Sequence, residues 1–451
     1  MRWIHSLSSD EPAEVLGGKA HGLVVLGRLG LAVPAGFVIG TEACRAYLRD
    51  GRLPEGLADE LTTAVADLPG GQVSVRSGAS VSMPGMMTTI LNLTVDSIEP
   101  LKKAVTEVFS SWNTPRARTY RELHGIPHDL GTAVTIQAMV YGDRDHHSGT
   151  GVAFTRNPNT GEPVPFGDVL FGRQGDAVVS GRELPLPLPD LTAREPKVWT
   201  GLLHAMDRVE SHYRDACYLE FTFETGELWL LQVRPGRFTG AAAVRVATDL
   251  ADDGVIGREE ALLRVSPKDL QQVRTPRIVL AADVLARGLG ACPGVAVGMV
   301  ATSTDAAVRM AAKGPVVLVR PETSPLDMRG IAAAAGIVTA RGGPASHAAV
   351  VARAMGKPAV VGVAGLVVGA DSVRAGDRTI EEGTLISIDG TSGDVVVGEA
   401  TITTSTAESH VRRLLGWADD ISGDTSERPG PDRLRAAHIA LSLTKARRKP
   451  E

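Results

Sequence analysis

Short runs in which apolar and polar residues alternate recur through residues 1–240. The segments VSVRSGA and GTAVTIQAMVYG carry this two-residue period, which predicts strands. The segment SIEPLKKAVTEVFSSW instead spaces its apolar residues three and four apart, which predicts a helix. Residues 1–240 therefore read as alternating helices and strands, rich in glycine, that form a domain of mixed α and β structure.

The pattern changes after this first unit. Residues 241–285 have helical spacing and no strand signal, which predicts a helical connector or hinge. Residues 286–398 return to short β-branched runs closed by glycine or proline, such as GPVVLVRP and KPAVVGV, and predict a compact α/β domain. Residues 399–451 contain one predicted helix, SHVRRLLGWADDI, followed by a polar segment that is basic at its end.

Composition places the chain among globular proteins. Its 451 residues are 43% hydrophobic and 22% charged, and a chain of this length predicts two to four domains. The formal net charge of -5 gives no indication of nucleic-acid binding. We expect no signal peptide and no membrane span, because the apolar runs are short. The cysteines Cys44, Cys217 and Cys292 match no metal or disulfide pattern, which favours a cytoplasmic setting.

One segment, TARGGPASHAAVVARAMGKPAVVG, places a histidine at the start of a predicted helix. We expect Ser346 to cap this helix with its side chain, His347 to be its first residue and Gly356 to end it. Gly342 and Gly343 would allow positive φ, and their N–H groups with the helix dipole would form an anion site. A neutral imidazole is a competent nucleophile for phosphoryl transfer. The pattern favours this interpretation over a histidine that merely packs.

The same segment resembles the phosphohistidine motif of the pyruvate phosphate dikinase family and of its relatives that use phosphoenolpyruvate. The upstream segments GLGACPGVAVGMV and VLVRPETSPLDMRGI resemble the rest of that family's swivelling domain. The resemblance implies that His347 carries a phosphoryl group between distant sites. It also implies a supporting set of neighbours: Arg341, Gly342, Gly343 and Ser346. Ala345 stands where some dikinases have a regulatory threonine, so that regulation is not expected.

Two cationic residues in the first unit are candidates for phosphate binding. Lys19 follows the glycines of LGGKAHGL, a position from which a lysine can meet polyphosphate, although surface lysines after glycine are common. Arg76 ends a strand-like run and precedes the loop SGASVSMPGMM, which is of the kind that closes over phosphates. On pattern alone, an ordinary connection filled with methionine remains an open alternative.

The segment CYLEFTFETGELWLLQVRPG predicts a hairpin that turns near Thr225-Gly226. A two-residue loop would put Glu220 and Gln232 on opposite faces. A three-residue loop, which pairs Phe223 with Glu227, would put them on one face and bury a complete apolar face on the other. We therefore expect the three-residue loop, since it matches the apolar pattern.

That register would bring Glu220, Gln232 and Arg234 side by side. The two oxygen-bearing side chains, Glu220 and Gln232, are then candidate Mg²⁺ ligands, and Arg234 can fork onto a phosphate. The alternative is a solvated polar face. The resemblance to the dikinases runs over nearly all of residues 12–420 and implies an ATP-grasp domain whose ATP site contains Lys19, Arg76, Glu220, Gln232 and Arg234.

Two departures from the family pattern stand out. Tyr218 occupies the position of the usual aspartate two residues before the glutamate of the metal strand. This implies that a carboxylate is lost and that turnover is altered while ATP binding survives. The segment LLGWADDIS resembles the lead into the family's barrel domain, which binds pyruvate or phosphoenolpyruvate. We therefore expect a shortened form without that barrel.

The resemblance implies an enzyme, an ATP- and Mg²⁺-dependent phosphotransferase with paired acceptors. His347 would take the β-phosphoryl group with release of AMP, inorganic phosphate would remove the γ group, and pyruvate or another acceptor would be phosphorylated. The expected partners are ATP, inorganic phosphate, pyruvate or phosphoenolpyruvate, a separate barrel protein and a second copy in a homodimer. The alternatives are a non-catalytic nucleotide-binding remnant and an antibiotic phosphotransferase, which the short connector disfavours.

Overall fold

The computed structural model describes residues 2–69, 71–81, 83, 86–175, 185–236, 238–273, 275–280, 283–343, 346–405 and 408–447. Within these ranges the strands form sheets of five, five, two, eight and three strands. None of the described helices is long and apolar enough to cross a membrane. The predicted architecture, a multidomain protein of α/β and α+β units, is confirmed.

The first sheet is antiparallel and is covered on one face by helices. Its strands, in spatial order, are Ile4–Ser6, Gly36–Ile39, Ala133–Ala138, Gln72–Gly78 and Thr89–Thr94. The helices of this part of the chain are Ala13–Arg28, Thr41–Asp50, Leu57–Ala66, Ile98–Ser111 and Pro115–His124. Alternate residues such as Val73, Val75, Val134 and Ile136 enter the core beneath the helices. The residues between them are therefore left for the opposite face of the sheet.

The second sheet is also antiparallel. Its strands, in spatial order, are Glu227–Pro235, Cys217–Glu224, Gly149–Phe154, Phe166–Phe171 and Leu186–Pro187. A 3₁₀ turn and two helices lie in the chain between the strands Leu186–Pro187 and Cys217–Glu224. They are Leu188–Asp190, Leu191–Arg194 and Pro196–Tyr213. Phe221, Phe223 and Val209 belong to the core between the sheet and the long helix.

The predicted three-residue loop in this sheet is wrong. Glu224 pairs with Glu227, so the loop has two residues, Thr225 at φ 50° and Gly226 at φ 77°. Two positive φ values match the turn that the twist of a tight hairpin favours. A bulge at Leu231 then shifts the register so that Gln232 pairs with Glu220, and the two residues lie on one face as predicted. The bulge combines a two-residue loop with a buried apolar face.

Helices from two distant parts of the chain pack into one bundle. They are Gly240–Asp252, Arg258–Arg264, Pro267–Gln272, Glu408–Ser422 and Gly430–Arg447. Their shared core includes Leu250, Leu262, Leu414 and Leu434. Beside them the strand Thr275–Leu280 pairs with Thr401–Ser405. This strand lies in the segment predicted to be helical throughout, and it forms because its β-branched residues find a partner strand more than a hundred residues away.

The histidine domain comprises the eight-stranded sheet, the three-stranded sheet and their helices. In spatial order the larger sheet consists of Val284–Arg287, Asp394–Val397, Leu385–Asp389, Val295–Ala301, Val316–Arg320, Gly336–Thr339, Ala359–Val361 and Leu289–Cys292. The smaller sheet consists of Leu366–Val368, Ser372–Ala375 and Arg378–Glu381. The helical segments are Thr304–Ala311, the 3₁₀ turn Pro325–Asp327, Met328–Ala333 and His347–Met355. Ala348, Ala349 and Ala352 bury the last helix against the sheet.

Candidate active site

A single cavity of about 1140 Å³ is shared by the two N-terminal sheets and the histidine domain. The first sheet and its first helix contribute Lys19 and Arg76, the second sheet contributes Glu220, Gln232 and Arg234, and the histidine domain contributes His347. The structure therefore brings all of the predicted ATP and metal residues to one space with the predicted phosphate carrier.

Lys19 reaches the cavity because its helix is broken at Gly17. Gly17 has φ 73° and ψ 155° inside the helix Ala13–Arg28. A Cβ at Gly17 would stand 1.6 Å from the carbonyl oxygen of Gly78, at the end of the strand that carries Arg76. Only glycine allows both this backbone conformation and this close approach. The glycines of LGGK thus position the lysine by bringing its helix onto the strand.

Arg76 joins the two sheets across the cavity. Its side chain is buried, and its Nη2 donates to Glu220 Oε2 at 2.8 Å while Nη1 donates to the Leu231 carbonyl at 2.8 Å. The bulge at Leu231 presents that carbonyl. A planar guanidinium carries its donors in a rigid fork on separate nitrogens, so it makes both contacts in a fixed geometry.

Glu220, Tyr218 and Arg234 form a connected set on the strands Cys217–Glu224 and Glu227–Pro235. The Tyr218 hydroxyl donates to Glu220 Oε1 at 3.3 Å, and the Arg234 guanidinium lies 4.3 Å from the centre of the Tyr218 ring. Tyr218 also packs edge-on against Phe154, with ring centroids 5.1 Å apart. Tyr218 therefore occupies its position as an aromatic platform with a hydroxyl directed at Glu220.

The electrostatics of this cluster follow from burial and from excess positive charge. Burial, together with the cation of Arg76, lowers the pKa of Lys19 to about 7, against a smaller opposing effect of Glu220. Burial alone would raise the pKa of Glu220, but Arg76, Lys19 and Arg234 reverse this, so the carboxyl pKa lies below its usual range. Burial and Glu220 raise the pKa of Tyr218, which stays a neutral hydroxyl donor.

His347 is the first residue of the helix His347–Met355, as predicted, and Gly356 ends that helix in the left-handed conformation. Its Nδ1 lies 3.1 Å from Thr323 Oγ1. Its Nε2 is buried and has no hydrogen-bond partner among the described residues. Burial lowers the pKa of His347, against the opposing charge of Asp327, so the imidazole is neutral near pH 7. A neutral ring with one nitrogen engaged leaves the other nitrogen available.

The predicted supporting residues adopt roles that differ in part from those expected. Ser346 is the N-cap by position, but its side chain makes no capping bond, and its buried Oγ lacks a partner within the described ranges. The prediction that Ser346 caps the helix with its side chain is therefore wrong. Gly342 has φ 96°, as expected, whereas Gly343 does not have positive φ. Glycine is needed at 343 for space, since a Cβ would lie 2.5 Å from Asp168 Oδ2. Arg341 pairs with Glu322 at 3.1 Å.

Two further expectations fall on residues that are not described. Ala345, the position of the family's regulatory threonine, lies outside the described residues. The same holds for Ser82, Pro84 and Gly85 in the loop expected to close over phosphates. Met83 and Met87, from the same loop, line the cavity.

Sequence reasoning missed Thr323 and Gln137, which line the cavity, and Asp168, which lies against Gly343 of the histidine domain. Thr323 sits in the segment RPETSPLDM, where no local pattern marks it. Asp168 and Gln137 are buried polar residues inside the apolar strands FGDVLF and AVTIQA. A polar side chain in the middle of a buried strand needs a partner or a function, and that signal could have found both.

The described residues contain no cluster of three or more His, Cys, Asp or Glu side chains that could hold a metal ion. Glu220 and Gln232 are paired across adjacent strands and both line the cavity. Their oxygens suit a hard cation, but both Glu220 oxygens already accept hydrogen bonds. A cation here therefore requires oxygen ligands in addition to these two side chains.

Two family models match this chain in different domains. The model described as pyruvate phosphate dikinase, AMP/ATP-binding domain, matches residues 49–186. The model described as PEP-utilising enzyme, mobile domain, matches residues 312–393. The first match covers strands that line the cavity, and the second includes His347. Fold and matches together define a protein that joins a domain similar to the AMP/ATP-binding domain of pyruvate phosphate dikinase to one similar to the mobile domain of PEP-utilising enzymes.

Curated relatives share both parts. The pyruvate, phosphate dikinase of Rhizobium meliloti (strain 1021) is 35% identical over 93% of this chain and 60% of its own length. The Clostridium symbiosum protein of the same name is 34% identical over 93% of this chain and 60% of its own length. The chloroplastic pyruvate, phosphate dikinase of Flaveria trinervia is 35% identical over 90% of this chain and 54% of its own length. The chain is similar to these pyruvate, phosphate dikinases over nearly all of its own length, and it spans 60% or less of theirs.

Proposed function

We propose that this chain transfers a phosphoryl group from ATP to Nε2 of His347, as a pyruvate phosphate dikinase-like phosphotransferase. One observation carries the proposal. The unpartnered Nε2 belongs to a residue that lines the same cavity as Lys19, Arg76 and Arg234. Cations that bind polyphosphate and a free nucleophile are thus in one space, as a direct transfer requires.

The nucleophile is prepared by its neighbours. With the imidazole proton on Nδ1 and donated to Thr323 Oγ1, the lone pair of Nε2 is free to attack. Burial keeps the ring neutral. Nε2 attacks the β-phosphorus of ATP, the bond from that phosphorus to the oxygen bridging the α- and β-phosphates breaks, and AMP leaves with that oxygen. Inorganic phosphate then removes the γ group as pyrophosphate, which leaves a single phosphoryl group on His347.

The phosphate-binding groups have distinct parts in the proposal. Arg76 is held by Glu220 and Leu231, so it presents a fixed guanidinium. Arg234 rests on the Tyr218 ring, which fixes its plane. Lys19 can take up a proton when phosphate arrives, because its pKa of about 7 lies far below the usual value. The unpartnered Ser346 Oγ and the N–H groups around Gly342 are the groups proposed to stabilise the phosphoryl group on His347.

Mg²⁺ is the proposed cofactor. Glu220 and Gln232 would hold it together with phosphate oxygens of the nucleotide, which supply the ligands that the described residues lack. When bound, it would neutralise phosphate charge during the transfer.

The proposal also covers the phosphoryl acceptor, the partner proteins and the cellular location. We propose pyruvate as the acceptor, with phosphoenolpyruvate as the product, because the relatives are named for this chemistry. A separate barrel protein would present it to the histidine domain after a swivel, and two copies would form a homodimer. The proposed setting is the cytoplasm, since Cys44, Cys217 and Cys292 are unpaired and buried.

The experiment is labelling of the purified protein with ATP that carries ³²P at the β or the γ position. We expect β-label on the protein with stoichiometric AMP, and loss of γ-label on addition of phosphate. His347→Ala should abolish labelling, whereas His204→Ala, at an exposed histidine of the helix Pro196–Tyr213, should leave it unchanged. Label that persists in His347→Ala would overturn the assignment. Nucleotide binding without any label would instead favour a non-catalytic remnant.

A further inference from the structure

Asp327 is a buried carboxylate that lies next to the segment in contact with His347. It is 6% exposed and ends the 3₁₀ turn Pro325–Asp327. The described residues that line the cavity include Thr323 and Ser324 but not Asp327. The Ser324 N–H donates to Asp327 Oδ2 at 2.9 Å, and Thr323 Oγ1 lies 3.1 Å from Nδ1 of His347. The peptide group between Thr323 and Ser324 therefore connects the carboxylate to the residue that contacts the imidazole.

The two oxygens of Asp327 face different partners. Oδ2 accepts from the N–H of Ser324 and from its hydroxyl, the latter at 3.1 Å. Oδ1 accepts from the Thr304 hydroxyl at 3.0 Å, and Arg320 Nε lies 3.3 Å from it as an ion pair. The Arg320 side chain is 31% exposed and also donates to the Thr302 carbonyl. Because water screens a cation that is partly exposed, the carboxylate is held firmly but is only partly neutralised.

The other charged groups around His347 come from its own helix, from the segments beside that helix and from the wall of the cavity. They are Arg353, the ion pair of Arg341 with Glu322, and the cavity residues Lys19, Arg76, Glu220 and Arg234. Both of the carboxylates in this set, Glu322 and Glu220, are paired with an arginine. Burial lowers the pKa of His347, and of the charges in the described part of the chain it is Asp327 that opposes this effect.

Taking up a phosphoryl group changes the charge of the imidazole. In the proposed transfer the Nε2 lone pair forms the bond to phosphorus, and the bond from phosphorus to the bridging oxygen breaks with its electron pair leaving on AMP. The proton on Nδ1 stays in place, so both ring nitrogens are substituted and the ring becomes a cation. A fixed carboxylate stabilises the imidazolium in the same way in a Ser-His-Asp triad. A buried anion near the ring therefore favours the transition state over the neutral ring.

We infer that Asp327 is a positioning residue for the transfer, which holds Thr323 against Nδ1 and stabilises the positive charge that develops on the His347 ring. This inference rests on the proposed transfer from ATP to His347. The charge should act on the rate of transfer and not on the binding of ATP, since Asp327 stands behind the residues that line the cavity. Its effect on the ring also distinguishes this role from that of a residue that only stabilises the turn.

Asp327→Asn tests the inference, because it removes the charge at nearly the same size while its carboxamide oxygen can still accept from the Ser324 N–H. We expect the initial rate of β-label transfer to fall at least about tenfold at about pH 8, where the imidazole is neutral in both proteins. Binding of the α,β-methylene analogue of ATP should stay within about twofold. The pKa of His347, followed by NMR with ¹³C-labelled histidine, should fall because the opposing charge is lost. Asp327→Glu should restore most of the rate. An unchanged rate or an unchanged pKa in Asp327→Asn would overturn the inference.

Three further variants separate charge from structure. Asp305→Asn, at an exposed aspartate of the same domain, should leave both the rate and the pKa of His347 unchanged. Ser324→Ala removes a hydroxyl that binds Asp327 but keeps the carboxylate, so the pKa of His347 should stay at the wild-type value. Arg320→Met removes the cation of the ion pair and should raise that pKa. If Asp327→Asn does not fold, Arg320→Met decides, and a wild-type pKa in that variant would contradict the inference.

The inference and the proposed function fail in different ways. Equal rates of labelling in wild type and Asp327→Asn would overturn the role of Asp327 and leave the transfer to His347 standing. Absence of label in the wild-type protein would sink the proposed transfer and, with it, the role of Asp327 in that transfer, even where the NMR titration shows its charge acting on the ring.

Discussion

Gly343 of the histidine domain lies directly against the carboxylate of Asp168 in the second sheet. A Cβ at Gly343 would stand 2.5 Å from Oδ2 and 2.7 Å from Cγ of Asp168. Asp168 is 3% exposed, so its short side chain has little room to withdraw. The same carboxylate acts on Arg353 of the histidine helix, whose pKa burial lowers to about 10 and Asp168 partly restores. Glycine at 343 is thus a requirement of the contact between the two domains.

Gly343→Ala should therefore block the docked arrangement without touching the phosphate-binding residues. We expect labelling of His347 from ATP to slow by about tenfold or more, while affinity for the nucleotide stays within about twofold. Gly314→Ala is the matched control in the same domain, because a Cβ there meets nothing closer than 3.7 Å. Normal labelling in Gly343→Ala would mean that transfer occurs in a different arrangement of the domains.

Thr323 should act as a positioning residue for His347. Thr323→Val keeps the shape but removes the oxygen 3.1 Å from Nδ1, so the favoured tautomer and ring orientation are lost. We expect labelling to slow by about tenfold to a hundredfold with unchanged ATP affinity, and Thr323→Ser to restore most of the rate. Because burial lowers the pKa of His347, the wild-type rate should fall only below the usual histidine pKa as the imidazole protonates. Equal rates in the Val and Ser variants would contradict the role.

The parts of the site that could be predicted from sequence are those that depend on neighbours along the chain. The start of the helix at His347 and its end at Gly356 follow from local preferences of glycine and of helix termini. Lys19 and Arg76 were predicted as ATP-site residues from the motifs that they share with the family. The prediction that the Ser346 side chain caps the helix is wrong, because its buried hydroxyl makes no capping bond, and no local pattern in the sequence indicates this.

The parts that could not be predicted depend on contacts between distant segments. The hairpin register was derived from loop length and apolar pairing, but in the structure the bulge at Leu231 brings Glu220 and Gln232 onto one face despite the two-residue loop. That bulge is tied to Arg76, 155 positions away, which binds the Leu231 carbonyl. Gly343 was predicted to be needed for a positive φ, whereas the structure shows that its missing side chain leaves space for Asp168.

Lys19 should make ATP binding depend on pH. Its pKa of about 7 in the free protein should rise when phosphate charge arrives, so binding above pH 7 takes up a proton. Affinity should accordingly fall as the pH rises from about 7 to 9, and calorimetry in buffers of different ionisation enthalpy should show uptake approaching one proton near pH 8. Lys19→Met should bind more weakly at pH 6 and lose this uptake. Identical uptake in wild type and Lys19→Met would rule out Lys19 as its source.

Tyr218 should set the Mg²⁺ requirement of the reaction. Tyr218→Asp would place an oxygen ligand beside Glu220 and Gln232 and remove the ring under Arg234. A hard cation gains from each added carboxylate oxygen, so the Mg²⁺ concentration for half-maximal labelling should fall by about tenfold. Tyr218→Phe is the control, because it keeps the ring and loses only the hydroxyl that donates to Glu220. We expect it to retain the wild-type requirement within about threefold. A Tyr218→Asp protein that is folded, binds ATP and still needs as much Mg²⁺ as Tyr218→Phe would show that this position does not face the cation.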